Sequence, residues 1–93
     1  YLINVGRGKI VNEADLVEAL KEHRLAGAGL DVFENEPFCC NSPLLEIKDA
    51  TKLIMTPHIA WAPIETRNRV IEEVCLNIEG FKTNNLRNVC NML

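Results

Sequence analysis

Leu2-Ile3-Asn4-Val5-Gly6-Arg7-Gly8 and, further on, Ala26-Gly27-Ala28-Gly29-Leu30-Asp31-Val32-Phe33 are the stretches whose reading decides the fold. The first is a short apolar run stopped by Gly-Arg-Gly. The second passes from small residues to β-formers and should end near Val32. Runs this short, bounded by turn residues, read as buried strands. Between them Asn12 offers an N-cap, with Asp15 three residues on as a capping-box acid. From Glu13 to about Glu22 the spacing predicts a helix, with Leu16, Val17 and Leu20 on one face and Glu18, Lys21 and Glu22 on the other.

Working outward, a loop from Glu34 to Asn41 and a turn at Ser42-Pro43-Leu44-Leu45 lead to a third strand, Leu53-Ile54-Met55, closed by Thr56-Pro57. Pro63, a favoured first helical residue, opens the last element. Its apolar positions Val70, Ile71, Val74, Cys75, Ile78 and Phe81 keep helical spacing, and Glu65 precedes Arg69 by one turn. A helix of roughly 20 residues would reach about 30 Å, enough to bridge two domains.

Strands separated by helices imply right-handed crossovers and a parallel sheet. Strands that are apolar throughout require cover on both faces. Three strands alone leave two open edges, so the complete sheet is expected to be larger. The fold class is therefore α/β: part of a larger parallel sheet over residues 1–61, then a long helix and tail over 62–93.

The 93 residues are 47 % hydrophobic and 25 % charged, with net charge −3, which argues against a nucleic-acid footprint. No apolar stretch is long enough to span a bilayer, and no charged-then-apolar leader opens the chain. The start at Tyr1, running straight into an apolar strand, suggests that further sequence lies upstream. Cys39, Cys40, Cys75 and Cys90 lack zinc spacing, so no metal site is expected. They read as free thiols of a reducing cytoplasm, with a disulfide or redox role as the alternative.

Ligands of an open parallel sheet bind beyond the carboxyl ends of its strands. Here those ends carry Arg7, then Asp31 with Glu36 close behind, then His58. Arg7, between two glycines that allow a sharp turn and close approach to a ligand, can grip a carboxylate bidentately and polarise a carbonyl. It could instead only cap a strand end. His58 is the natural general acid and base, or else a structural histidine. Glu36 beside it would hold one ring nitrogen and fix the tautomer; alone it would be a solvated carboxylate. Asp31, a charge within an apolar strand, needs a partner: a backbone N–H or, preferably, a ligand amide.

Asn4-Val5-Gly6-Arg7-Gly8 with Val11-Asn12-Glu13 and Leu16, then Leu25 to Pro37, then Leu53-Ile54-Met55-Thr56-Pro57-His58-Ile59-Ala60-Trp61, resembles the D-isomer-specific 2-hydroxyacid dehydrogenases in order and spacing. The resemblance implies an oxidoreductase that moves a hydride between NAD(H) and a small D-2-hydroxy or 2-keto acid. Arg7 would bind the substrate carboxylate and carbonyl, His58 would be the acid/base and Glu36 its partner. Asp31 would meet the nicotinamide end of the cofactor. Val5, Gly6, Arg7 and the run His58, Ile59, Ala60, Trp61 would line the same pocket. The His-Ile-Ala-Trp form followed by Ala62-Pro63 looks most like the glycerate dehydrogenase or hydroxypyruvate reductase branch. The Glu36/His58 pair argues against the formate dehydrogenase branch. The family's Gly-rich phosphate loop and ribose-binding acid are not in this sequence, so NAD is expected from the resemblance and NADP is left open. The resemblance also implies that residues 1–61 are the C-terminal portion of a Rossmann-type parallel-sheet NAD-binding domain, that the full-length protein is a homodimer, and that the last helix returns to the substrate domain. The alternative of another class is a dehydrogenase-like regulatory protein that senses NAD(H) and binds partners; a third is a scaffold with no active site.

Overall fold

The computed structural model describes residues 1–90 of the chain. It divides into two units, residues 1–60 and residues 61–93, each described by itself below. The first unit holds β1 (Leu2–Asn4), α1 (Glu13–Lys21), β2 (Ala28–Leu30) and β3 (Leu53–Met55), with 3-10 turns at Gly8–Ile10 and Pro43–Glu46. The strands form one parallel sheet in the order β1-β2-β3. Leu2, Ile3 and Asn4 stand beside Ala28, Gly29 and Leu30, which stand beside Leu53, Ile54 and Met55.

Strands of three residues are shorter than the apolar runs that contain them. Beyond Asn4 the chain turns over the Asn4 side chain, and beyond Leu30 the backbone leaves the ladder after one more bond, Asp31 N–H to Asn4 O at 3.0 Å. Helix α1 begins where its cap places it. Asn12 Oδ1 accepts the N–H groups of Ala14 at 3.0 Å and Asp15 at 3.1 Å. The reciprocal half of the expected capping box is replaced by a longer-range one. Glu13 N–H donates to Glu34 Oε1 at 2.9 Å, and Glu34 N–H donates to Glu13 Oε1 at 2.8 Å. Ser42 Oγ donates to the second Glu13 oxygen at 2.8 Å. Glu13 is thus buried, yet both its oxygens are occupied, which removes the penalty of an unpaired buried charge.

The core lies on one side of the sheet. Leu16, Val17 and Leu20 of α1 meet Ala28, Leu30 and Leu53 of the strands and Leu44 of the second 3-10 turn. Leu20 and Leu44 are fully buried. Both crossover segments lie on this face, because successive right-handed connections in the order β1-β2-β3 step in one direction. The opposite face carries Ile3 and Ile54, 77 % and 65 % exposed, on either side of Gly29. The strands are therefore apolar on both faces, and residues 1–60 cover one of them.

The second unit is α2 (Ile64–Lys82) and the segment after it. Pro63 stands at the N-cap rather than at the first helical position expected for it. Asn85 N–H donates to Gly80 O at 2.8 Å, and a Cβ on Gly80 would lie 2.5 Å from Asn85 O, so a side chain there would block the return. Arg87 and Asn88 reach back to Glu73. The helically spaced apolar positions Val70, Ile71, Val74, Cys75, Ile78 and Phe81 are exposed. Among the described residues no helix is long and apolar enough to cross a membrane.

Candidate active site

Three chain segments leave the carboxyl ends of β1, β2 and β3, and each carries one of the side chains singled out above. Arg7 follows β1 in extended backbone, φ −141° and ψ 140°. Gly8 then packs so closely on the segment after β2 that a Cβ there would lie 1.8 Å from Phe33 O. Neither Gly6 nor Gly8 has positive φ. The glycine at position 8 is required for backbone-to-backbone contact, and the sharp turn that the sequence suggested does not need its positive-φ freedom.

Glu36 Oε1 accepts Phe33 N–H at 3.0 Å, and Glu36 Oε2 lies 2.7 Å from His58 Nδ1. The peptide bond between Glu36 and Pro37 is cis. Phe33 and Phe38 meet edge to face with centroids 4.9 Å apart, closing the loop between them. Phe33 N–H, first, and then the His58 ring hold the Glu36 carboxyl below its usual range, outweighing its partial desolvation. An ionised carboxylate only accepts hydrogen bonds, so Nδ1 carries the proton in this pair.

His58 itself adopts φ +55°, the left-handed region that a non-glycine residue enters at a cost on the order of 1 kcal/mol. Asp31 supplies the restraint. Its Oδ1 accepts Thr56 Oγ1–H at 2.5 Å and Ile59 N–H at 2.9 Å, and its Oδ2 accepts Ala60 N–H at 2.9 Å. One carboxylate thus grips the chain on both sides of His58, while His58 N–H donates to Thr56 O at 3.0 Å. The Thr56 hydroxyl, and to a lesser degree the Ala60 and Ile59 N–H groups and the nearby His58, lower the Asp31 carboxyl from its ordinary 3.8 against the opposing effect of burial. The backbone partner that the sequence offered as the second choice for Asp31 is the one observed. A carboxylate has about four acceptor positions, so these three donors leave room for one more.

Arg7, Glu36 and His58 line one cavity of about 370 Å³, together with Gly8, Lys9 and Phe33. A second, of about 220 Å³, lies against the same His58 and Glu36 and is walled by Phe33, Pro37, Phe38 and Pro57. The imidazole–carboxylate pair therefore borders both recesses, the first carrying Arg7, Lys9 and Glu34, the second mostly apolar. One guanidinium N–H of Arg7 donates to Gly6 O at 2.8 Å. Val5, Gly6 and Ile59 are exposed on the segments leaving β1 and β3, with Ala60 half-buried beside Asp31. Trp61 is exposed and belongs to the second unit. Lys9, Asn4 and Thr56 were not singled out from sequence. For Asn4 the available signal was a lone polar residue inside an apolar strand, the same signal that exposed Asp31.

The residues present suit the nicotinamide end of a dinucleotide and not its phosphates. Asp31 retains an acceptor position for a carboxamide beside exposed apolar Val5 and Ile59. The first N–H groups of α1, by contrast, are taken up by Asn12 and Glu34, and a carboxylate at that end would repel a phosphate. Among the described residues no group of three or more His, Cys, Asp or Glu side chains could hold a metal ion.

Comparison with known proteins agrees with this geometry. Residues 1–60 match the model of the D-isomer specific 2-hydroxyacid dehydrogenase, NAD binding domain. A glyoxylate reductase of Korarchaeum cryptofilum is 47 % identical over 81 residues, 87 % of this chain and 24 % of that protein. A hydroxypyruvate reductase of Blautia hydrogenotrophica is 42 % identical over 90 residues, 97 % of this chain and 27 % of that protein. Among solved structures, an NADPH-dependent glyoxylate/hydroxypyruvate reductase from Sinorhizobium meliloti, in complex with NADP and malonate, superposes with TM-score 0.56 at 44 % identity. That superposition covers 86 % of this chain and 24 % of the reductase. The chain spans about a quarter of the length of the curated relatives it matches. On the match over residues 1–60 and the identities of its relatives, the chain belongs to the D-isomer specific 2-hydroxyacid dehydrogenase family.

Proposed function

We propose that this chain works as part of a longer dehydrogenase that interconverts a small 2-keto acid, of the glyoxylate or hydroxypyruvate kind, and the corresponding D-2-hydroxy acid. The observation that carries the reading is the shared cavity of Arg7, Glu36 and His58, with His58 Nδ1 held 2.7 Å from Glu36. NAD(H), with NADP(H) as the other candidate, supplies or takes up the hydride when bound. Arg7 binds the substrate carboxylate by paired hydrogen bonds and polarises the adjacent carbonyl, as a guanidinium fork suits. His58 Nε2 holds the proton that goes to the substrate oxygen in reduction and takes it back in oxidation. Glu36 keeps the ring in the tautomer and orientation for that transfer. Asp31 holds the His58 backbone and offers its remaining acceptor position to the nicotinamide carboxamide. Val5, Gly6, Ile59, Ala60 and Trp61 contribute to the cofactor's surroundings. Four exposed free cysteines support a reducing compartment, and the cytoplasm is the natural one. The exposed apolar stripe of α2 supports burial against further protein, and a homodimer is our reading for the intact enzyme.

The test is steady-state reduction of hydroxypyruvate and glyoxylate by the intact enzyme, with NADH and NADPH in parallel. His58→Ala should lower kcat by about 10²–10⁴-fold, the usual contribution of general acid–base catalysis. Near-normal turnover by that variant would remove the role given to His58. No turnover by the wild-type enzyme, with NADH still bound, would favour a sensor of NAD(H) instead.

A further inference from the structure

Arg7 is solvent-exposed, yet its backbone carbonyl is held by two hydrogen bonds. Asn4, 7 % exposed at the end of β1, places its side-chain amide under the turn. Asn4 Nδ2–H donates to Arg7 O at 2.9 Å, and Asn4 Oδ1 accepts Gly6 N–H at 3.1 Å. The main chain of Asn4 is itself tied to β2, because its carbonyl accepts Asp31 N–H at 3.0 Å. Arg7 O is held a second time by Ile10 N–H at 3.2 Å. One buried amide thus joins the sheet to the residues on each side of the Gly6-Arg7 peptide.

We propose that Asn4 is a positioning residue for Arg7, aiming the guanidinium at the substrate carboxylate; this rests on the role given to Arg7 above. A carboxamide presents its donor and its acceptor on two separate atoms, so one side chain reaches Arg7 O and Gly6 N–H together. Aspartate at position 4 would still accept Gly6 N–H but would turn an oxygen towards Arg7 O. Alanine would take the partner from Gly6 N–H and leave Arg7 O to Ile10 N–H alone. Arginine has a long side chain with much conformational freedom to lose on binding, so fixing its backbone lowers the entropy that substrate binding must overcome.

The readout is selectivity for the charged group, which a merely structural role would not move. In the intact enzyme, kcat/KM is measured for a 2-keto acid and for the matching 2-keto amide, which has the same reacting carbonyl and no carboxylate. Asn4→Ala and Asn4→Asp should each lower kcat/KM for the acid by about tenfold, the equivalent of one hydrogen bond. The change should fall mainly on KM, and the amide, which keeps only the Arg7 contact to its carbonyl, should lose several-fold less than the acid. Arg7→Ala should lower the same acid-to-amide ratio further. Equal losses on acid and amide in Asn4→Asp, the variant closest in shape, would overturn the proposal, as would no loss on either. A ratio unchanged in Arg7→Ala would overturn the carboxylate-binding role of Arg7 itself, and the two failures are told apart by that variant.

Discussion

Gly8→Ala should damage this protein more than any other single-methyl addition to its sheet or strand ends. The new Cβ would stand 1.8 Å from Phe33 O, 2.0 Å from Phe33 C and 2.6 Å from Glu34 N. All three atoms are backbone, so no side chain can swing aside. Ordinary contact begins near 3.4 Å, so the turn carrying Arg7 and the segment after β2 must part by roughly 1.6 Å. Phe33 and Glu34 are the residues that would have to move. Phe33 N–H holds Glu36, which holds His58, and Glu34 exchanges two hydrogen bonds with Glu13. Overpacking costs about 1–3 kcal/mol, and the entropy that alanine removes from the unfolded chain returns only about 0.4–1 kcal/mol. A misplacement on the order of 1 Å at the reacting groups lowers catalysis by about 10²-fold. Urea unfolding and kcat/KM of the intact enzyme should therefore both fall in Gly8→Ala. Wild-type kcat/KM and unfolding midpoint in Gly8→Ala would refute the reasoning.

Asp31→Asn should lower stability at neutral pH, and the deficit should shrink in acid. The folded-state pKa of Asp31 is depressed, so its contribution is complete above the ordinary 3.8 and is lost as pH falls from there through the folded value. Urea unfolding of wild type and variant at pH 7 and pH 3 checks this; a deficit that is the same at both would contradict it. Leu20→Ala removes a fully buried side chain from between α1 and the sheet, and should cost about 2–5 kcal/mol by chemical unfolding. A loss below about 1 kcal/mol would mean that the site collapses around the smaller side chain.

Much of the fold is legible locally. Asn12 and the Leu16, Val17, Leu20 spacing place α1 to within a residue, because a cap and a helical period are properties of adjacent residues. Leu53-Ile54-Met55 is a strand in both readings. The 3-10 turn at Gly8–Ile10 was not legible, since it depends on Arg7 O meeting Ile10 N–H and on close packing against Phe33. The candidate site is intermediate. Arg7, Glu36 and His58 stand out because strand ends of a parallel sheet converge, whereas Asn4 and Thr56 act through partners distant in the chain or hidden beneath a turn.

The amino-acid order alone determined the element types, the parallel topology and the three side chains at the sheet's rim, because periodicity, capping and chain direction are encoded locally. Tertiary structure decided how those side chains are held. Glu13 with Glu34, Asn4 with Arg7 and Asp31 across His58 are pairings between groups that folding alone brings together. Each is set by the need to give a buried carboxylate or amide its hydrogen-bond partners.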